Sequence, residues 1–219
     1  MRKATALRLS HPFLAGRGKG VRFFMPYIIG LTGNIACGKS TVRGMIAEHG
    51  AATLDADALV HDLYMPGDPV YRAVVEAFGA EILGMDAEID RRALGRKVFG
   101  DPAALARLEG LTHPAVIERT WAWVARQTTP VVVVDAVKLI EAGIADGCDA
   151  VWVVTCPLEE ERRRLMTRPG MSAAEADRRL AAQAPEAAKV ARAAVVIENG
   201  GTMDATRAQI DRAWAAIPY

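Results

Sequence analysis

The 219-residue sequence is poor in cysteine and aromatic residues, and it contains no long apolar run. Its three cysteines, Cys37, Cys148 and Cys156, have neither metal-ligand nor paired spacing, which favours a reducing compartment and excludes a disulfide framework. Every apolar run is far shorter than the roughly eighteen residues that span a bilayer. We therefore expect a cytoplasmic protein with no membrane partner. The hydrophobic share of 51% and the charged share of 24% are typical of a globular chain, not a disordered one.

The formal net charge of +1 is unevenly distributed. Residues 1–24 carry six of the 27 basic residues and no acidic one, so the chain from Met25 onward has 21 basic against 26 acidic residues. A general nucleic-acid binder needs a basic face to neutralise phosphates, so we expect no nucleic-acid partner. Residues 1–24 lack the apolar core of a secretory signal; we interpret them as a disordered leader or an incorrectly assigned start, with an organellar transit peptide as the alternative.

Five short apolar runs predict strands: Tyr27–Leu31, Ala52–Leu54, Val131–Val134, Val151–Thr155 and Val195–Ile197. They are apolar throughout, as in strands buried on both faces of a parallel sheet. Helical patterns alternate with them. We therefore predict an α/β fold with a five-stranded parallel sheet and helices on both faces, forming a single domain over residues 25–219.

One long interval between the second and third predicted strands contains only helical patterns. The helices predicted there are Pro69–Phe78, Arg91–Phe99, Pro102–Leu111 and Pro114–Arg126. An insertion of this size, at about residues 58–127, indicates a helical substrate-binding subdomain. Farther along, Ser172 and Glu175 form a capping box at the start of an Ala-rich, helix-forming stretch, Ala173–Ala194.

The strongest motif is a phosphate-binding loop. The segment from Gly33 to Ser40 fits G-x-x-x-x-G-K-[ST] between a predicted strand and a predicted helix. The glycines let backbone N–H groups converge on phosphate oxygens, Lys39 meets the β- and γ-phosphates, and the Ser40 hydroxyl is a Mg²⁺ ligand. The predicted nucleotide-binding residues are Gly33, Asn34, Ile35, Ala36, Cys37, Gly38, Lys39, Ser40 and Thr41. Cys37 either supplies a small side chain or is a thiol activated by the helix N-terminus.

Carboxylates follow two of the predicted strands. Asp55 and Asp57 come after the second strand, and Asp135 ends the third. Because strand carboxyl ends face the ligand crevice of an open α/β sheet, one such carboxylate can accept a proton and another can hold the metal. Asp55 and Asp135 are the candidate metal ligands beside Ser40. The alternative for Asp57 is that it only caps the following helix.

A basic stretch over about residues 160–182 has the composition of a mobile lid. Its arginines are Arg162, Arg163, Arg164 and Arg168. We expect Arg162 and Arg163 to lie at the surface and Arg168 to act on the transferring phosphoryl group. The alternative is a solvated helix face on which Glu159–Glu161 pair with arginines four residues on.

These pieces together resemble the dephospho-CoA kinase family, a family of P-loop small-molecule kinases. The resemblance runs from about Tyr27 to Trp214 and includes IIGLTGNIACGKSTV, LDADALVHDLY, LIEAG and VVIENGG. It implies phosphorylation of the ribose 3′-hydroxyl of dephospho-CoA by ATP with Mg²⁺, the last step of coenzyme A synthesis. It also implies that Asp57 is the general base and that Lys39 and Arg168 act on phosphates, with Arg178 as a further candidate. Arg91 and His113 then belong to the part of the helical subdomain that receives the substrate, and we expect a monomer.

The sequence departs from the family pattern at two places. The family's V-P-L-L after the third strand is replaced around Lys138, which adds a cation beside the phosphates or faces solvent, and Ala36-Cys37 stands for a Gly-Ser pair. Two rival functions fit less well. A shikimate kinase needs a glycine triplet after the third strand, and a GTP-dependent switch needs an N-K-x-D motif; neither is present.

Overall fold

A computed structural model describes residues 26–218, so the interpretation of residues 1–24 lies outside the described part of the chain. The strands are β1 (Tyr27–Gly33), β2 (Ala52–Asp55), β3 (Val131–Asp135), β4 (Ala150–Thr155) and β5 (Val195–Glu198). The helices are α1 (Lys39–Glu48), α2 (Ala56–Leu63), α3 (Pro69–Phe78), α4 (Arg91–Val98), α5 (Pro102–Val124), α6 (Leu158–Met166), α7 (Ala173–Ala181), α8 (Glu186–Val190) and α9 (Met203–Ala215). Short 3₁₀ helices lie at Ala80–Ile82 and Ile144–Gly147.

The strands form one parallel sheet in the order β2-β3-β1-β4-β5. Tyr27 of β1 is opposite Val131 of β3, and Ile29 of β1 is opposite Ala150 of β4. All five predicted strands and the α/β fold class are confirmed. Because β1 lies at the centre, the loop that follows it leaves the sheet at the middle of its carboxyl edge, with strands ending on either side.

Apolar residues on both faces of the sheet hold the helices in place. On one face, Val42 and Ile46 of α1 and Ile210 of α9 belong to the same buried cluster as β1 and β4. On the other face, Gly30 packs so closely under Leu139, in the turn after β3, that an added Cβ would come within 2.7 Å of its Cδ2 atom. The predicted five-stranded parallel sheet with helices packed on it is confirmed.

The chain divides into two compact units. One contains the sheet and ends at Leu54, resuming at Val124; the other is Asp55–Trp123, which covers most of the segment predicted as a helical subdomain. In the second unit, Asp68 caps α3 by accepting a hydrogen bond from the Val70 amide at 2.8 Å and also pairs with Arg119. The role of this unit in substrate binding stays a prediction.

The prediction of two separate helices around Pro114 is wrong. The structure has one helix, α5, that continues through Pro114. Proline removes the amide hydrogen that would bond to the Gly110 carbonyl. In the preceding turn, the Thr112 hydroxyl donates to the Leu108 carbonyl at 3.0 Å. His113 therefore lies within a helix.

The predicted N-cap is confirmed, because the Ser172 hydroxyl accepts a hydrogen bond from the Glu175 amide at 3.2 Å. The Glu175 carboxylate pairs with Arg178 and Arg179. The Ala-rich stretch that follows is not one helix. It breaks after Ala181 and resumes at α8, just after Pro185, since proline disfavours helical conformation in the residue before it. Within residues 26–218, no helix has both the length and the apolar character needed to cross a membrane.

Candidate active site

The loop between β1 and α1 is shaped by two glycines with close neighbours. A Cβ on Gly33 would strike the Val154 carbonyl oxygen, and one on Gly38 would strike the Asn199 side-chain amide. Gly38 also has φ +92°, in the left-handed region that favours glycine. Ala36 lies in the left-handed region as well, with φ +64°, although it carries a Cβ. The loop conformation is thus held by its surroundings.

The loop leaves backbone amides available at the start of α1. The Cys37 amide bonds within the loop to the Asn34 carbonyl at 3.3 Å. By contrast, the amides of Gly38 and Ser40 have no hydrogen-bond partner in the described part of the chain. Unpaired amides at a helix N-terminus carry partial positive charge and bind anions. The arrangement fits the phosphate groups that the sequence motif predicts.

Asp135 lies at the carboxyl end of β3, where it is almost fully buried. Its carboxylate is 2.9 Å from the Lys39 ammonium and 3.4 Å from the Arg43 guanidinium. The buried carboxylate thereby holds the Lys39 side chain at the loop. The predicted metal-binding roles of Asp135, Asp55 and the exposed Ser40 stay predictions, although hydroxyl and carboxylate oxygens are ligands that suit Mg²⁺.

The two carboxylates after β2 have different local roles. Asp55 is the N-cap of α2, and its side chain accepts a hydrogen bond from the Ala58 amide at 3.1 Å. Asp57 lies in the first turn of that helix and is exposed. The alternative in which Asp57 is the helix cap is therefore wrong, because Asp55 already supplies the cap. The proposed chemistry of Asp57 remains a prediction.

Cys37 is a fully buried thiol behind the loop. Burial raises its pKa to about 12. The charge of Lys39 and a hydrogen bond from the Lys39 amide lower the pKa, but by less than burial raises it. The possibility of a thiol activated by the helix N-terminus is therefore wrong. Cys37 is a small side chain that fills space; its Sγ atom would lie 2.7 Å from a Cβ on Gly33.

The arginines of the predicted lid separate into two groups. Arg162 pairs with Asp177 and Arg163 pairs with Glu160 at the surface, as expected. Arg178 pairs with Glu175, and Arg168 is exposed. Arg164 is different, because its guanidinium reaches the phosphate loop and donates to the Cys37 carbonyl at 3.1 Å.

Two site residues go beyond the sequence prediction: Arg164 was named among the lid arginines without a role of its own, and Asn199 was not named. Asn199 follows β5 and donates from its side-chain amide to the same Cys37 carbonyl at 2.8 Å. The rule that strand carboxyl ends meet at one edge, which selected Asp55 and Asp135, applies equally to the end of β5 and could have found Asn199. No sequence signal identifies Arg164, because its partners in the loop are backbone carbonyls, which any residue type supplies.

The segment after β3 is held by a buried lysine at a position that the sequence did not highlight. Lys189 of α8 donates to the Val137 carbonyl at 2.6 Å and lies 3.3 Å from Glu141, while the Lys138 side chain is exposed. The Thr32 hydroxyl donates to the same carbonyl at 3.1 Å. This anchors the backbone just beyond Asp135.

In the helical unit, the two residues predicted to receive substrate are far apart in sequence. Arg91 is exposed in the first turn of α4, and its charge partly opposes the burial that raises the pKa of Tyr64. His113 is half-buried in the middle of α5. Their substrate contacts stay predictions.

Comparison with known proteins decides the family. A family model described as dephospho-CoA kinase matches residues 27–205. The chain belongs to the dephospho-CoA kinase family. The resemblance predicted from the sequence is confirmed, and members of this family are enzymes that transfer a phosphate group to a hydroxyl group.

Individual relatives agree with the family assignment. Dephospho-CoA kinase of Symbiobacterium thermophilum is 47% identical over 192 residues, which cover 86% of this chain and 80% of that one. The protein of the same name from Geobacter sulfurreducens is 48% identical over 191 residues, which cover 86% of this chain and 97% of that one.

Two solved structures are similar to this chain. The crystal structure of TT1252 from Thermus thermophilus has a TM-score of 0.76 and 35% identity, covering 89% of this chain and 99% of that one. Dephospho-CoA kinase from Campylobacter jejuni has a TM-score of 0.55 and 25% identity, covering 87% of this chain and 97% of that one.

Proposed function

We propose that this chain transfers the γ-phosphate of ATP to the ribose 3′-hydroxyl of dephospho-CoA, giving ADP and CoA. The observation that carries the proposal is the pair of available amides at Gly38 and Ser40, in a chain of the dephospho-CoA kinase family. Those amides and the Lys39 ammonium neutralise the triphosphate, whose charge is the main obstacle to attack by a hydroxyl.

In the proposed reaction, a bond forms between the 3′-oxygen and the γ-phosphorus while the bond from phosphorus to the β–γ bridging oxygen breaks. Asp57 accepts the proton of the 3′-hydroxyl. Arg168 screens the negative charge on the transferring group. Such catalysis depends mainly on positioning and electrostatic stabilisation.

We also propose that Ser40 and Asp135 hold Mg²⁺ at this site, with Asp55 as a further candidate ligand. If bound there, the ion would withdraw negative charge from the phosphate groups. The Asp135 carboxylate is buried and paired with Lys39 and Arg43, so the same group can orient the lysine and offer an oxygen ligand to the ion.

The proposed setting is the cytoplasm. All three cysteines are free thiols and all are buried, which supports a reducing compartment.

The proposed function is tested by measuring ADP release from Mg·ATP with and without dephospho-CoA. We expect ADP release to require dephospho-CoA and to be lost in Lys39→Met. Shikimate and gluconate serve as alternative acceptors. ADP release that depends on one of them, and not on dephospho-CoA, would contradict the proposed substrate.

A further inference from the structure

Arg164 of α6 makes an unusual set of contacts for a helix-surface arginine. Its guanidinium donates to the Ala36 carbonyl at 3.4 Å, to the Cys37 carbonyl at 3.1 Å and to the Asn199 carbonyl at 2.7 Å. Its Nε atom donates to Glu160 at 2.8 Å. One side chain therefore joins the phosphate loop, the end of β5 and its own helix.

Asn199 supports the same carbonyl from another side. It is buried, its Nδ2 group donates to the Cys37 carbonyl, and its Oδ1 atom accepts a hydrogen bond from the Thr206 hydroxyl at 3.1 Å. Its backbone amide is fixed by the Thr155 carbonyl at 2.8 Å. The Cys37 carbonyl thus accepts hydrogen bonds from two side chains that are themselves held in place.

The orientation of this carbonyl determines the orientation of an amide at the anion site. A trans peptide is planar, so the carbonyl of Cys37 and the N–H of Gly38 point in opposite directions. Holding the Cys37 carbonyl toward Arg164 and Asn199 therefore turns the Gly38 N–H away from them. That N–H is one of the available amides at the start of α1.

The preceding peptide is held in the same way. Ala36 adopts a left-handed conformation that a residue with a Cβ avoids unless its surroundings impose it. Its carbonyl is the second loop acceptor for Arg164. A planar guanidinium can donate to several acceptors at once, whereas a lysine ammonium cannot reproduce that fixed fork.

We propose that Arg164 is a positioning residue for nucleotide binding: it fixes the Ala36 and Cys37 carbonyls so that the Gly38 amide is already oriented for a phosphate oxygen. The inference rests on the proposed function, since it assumes that the loop binds a triphosphate. Arg164 acts here through the loop backbone, without touching the substrate.

The test compares Arg164→Met and Arg164→Lys with the wild-type chain. Arg163→Met is the matched control, because Arg163 also pairs with Glu160 but makes that pair at the surface. For each protein we would measure the dissociation constants of Mg·ATP and of inorganic tripolyphosphate, together with the KM for dephospho-CoA. The Gly38 amide resonance would be recorded in the nucleotide-free protein labelled with ¹⁵N-glycine, with the remaining glycine resonances as the check of folding.

We expect Arg164→Met to weaken ATP and tripolyphosphate equally, by about tenfold or more, because a charge-assisted contact is lost. In the nucleotide-free protein, the Gly38 amide resonance of Arg164→Met should be shifted from its wild-type position. The KM for dephospho-CoA should stay within about twofold of the wild-type value, as expected when only nucleotide binding is weakened. The affinities of Arg164→Lys for ATP and tripolyphosphate should lie between those of Arg164→Met and the wild type. Arg163→Met should match the wild type.

Three results would overturn the inference. The first is unchanged affinity in Arg164→Met, and the second is an unchanged Gly38 resonance. The third is weaker ATP binding with unchanged tripolyphosphate binding, which would mean that Arg164 contacts the nucleoside directly. A wild-type chain that binds neither ligand would instead overturn the proposed function.

Discussion

Single residues in the phosphate loop are constrained by neighbours that are distant in sequence. Gly38 needs the absence of a side chain for two independent reasons, its left-handed φ and the Asn199 amide beside it. At Gly44, six residues later in α1, an added Cβ would lie in open space, so this glycine serves only as a weak helix former. The same residue type is thus essential at one position and replaceable at the other.

Gly38→Ala should therefore abolish tight nucleotide binding, whereas Gly44→Ala should bind normally and gain about 0.5–1 kcal/mol of stability. Nucleotide binding of both variants is checked by their affinity for Mg·ATP, and the stability of Gly44→Ala is checked by urea unfolding. Normal ATP affinity in Gly38→Ala would show that the loop tolerates a Cβ against Asn199, contrary to this geometry.

Asp57→Asn should lose most turnover while its ATP affinity stays near the wild-type value, because the amide cannot accept the hydroxyl proton. Asp62→Asn is the control, since Asp62 is an exposed carboxylate on the same helix. Rates under saturating ATP and dephospho-CoA would be compared. Equal rates for Asp57→Asn and the wild type would remove Asp57 from the mechanism.

The start of α3 is fixed by a side chain that both caps the helix and forms an ion pair. Asp68 caps α3 through one carboxylate oxygen and pairs with Arg119 of α5 through the other. The cap is local, whereas the ion pair connects two helices of the same compact unit. The two contributions can be separated, because an asparagine can cap a helix but carries no charge.

Asp68→Asn should lose the ion pair alone, and Asp68→Ala should lose the cap as well, at a further cost of about 1 kcal/mol. Urea unfolding, monitored by circular dichroism, gives the free energy of unfolding of both variants. If the two variants have the same free energy of unfolding, the Asp68 side chain does not stabilise the start of α3.

Strands and the phosphate loop could be predicted where a local sequence pattern determines the structure. Features that depend on tertiary contacts could not be predicted. The buried strands follow from continuous apolar runs such as Val131–Val134, and the loop follows from its glycines and Lys39. Pro114 was misleading, because α5 continues through it although proline removes a backbone donor and is strongly disfavoured inside a helix. Arg164 was indistinguishable from its neighbours in sequence, since only the fold brings it to the loop carbonyls.

On the scale of the whole molecule, Glu161 makes stability depend on pH. Its side chain is buried on α6, and burial, with a smaller contribution from the charge of Glu186, raises its pKa from 4.5 to about 7. Between these values the folded chain binds a proton that the unfolded chain has released. The free energy of unfolding therefore decreases as the pH rises through this window and levels off about one pH unit above the raised pKa.

Glu161→Gln should remove this dependence. Relative to the variant, the wild type should lose up to about 3 kcal/mol between about pH 4.5 and about pH 8, since each unit of pKa shift corresponds to about 1.4 kcal/mol. Urea unfolding at several pH values provides the comparison. Parallel curves for the two proteins would mean that Glu161 ionises normally in the folded chain.

The central claim concerns which atom receives the phosphate. The most direct measurement is identification of the product formed from dephospho-CoA and Mg·ATP by mass spectrometry and by co-elution with authentic CoA. We predict one added phosphate and co-elution, as expected for a phosphate on the ribose 3′-oxygen. A product with one added phosphate that elutes apart from CoA, or no product while ATP is bound, would contradict the account.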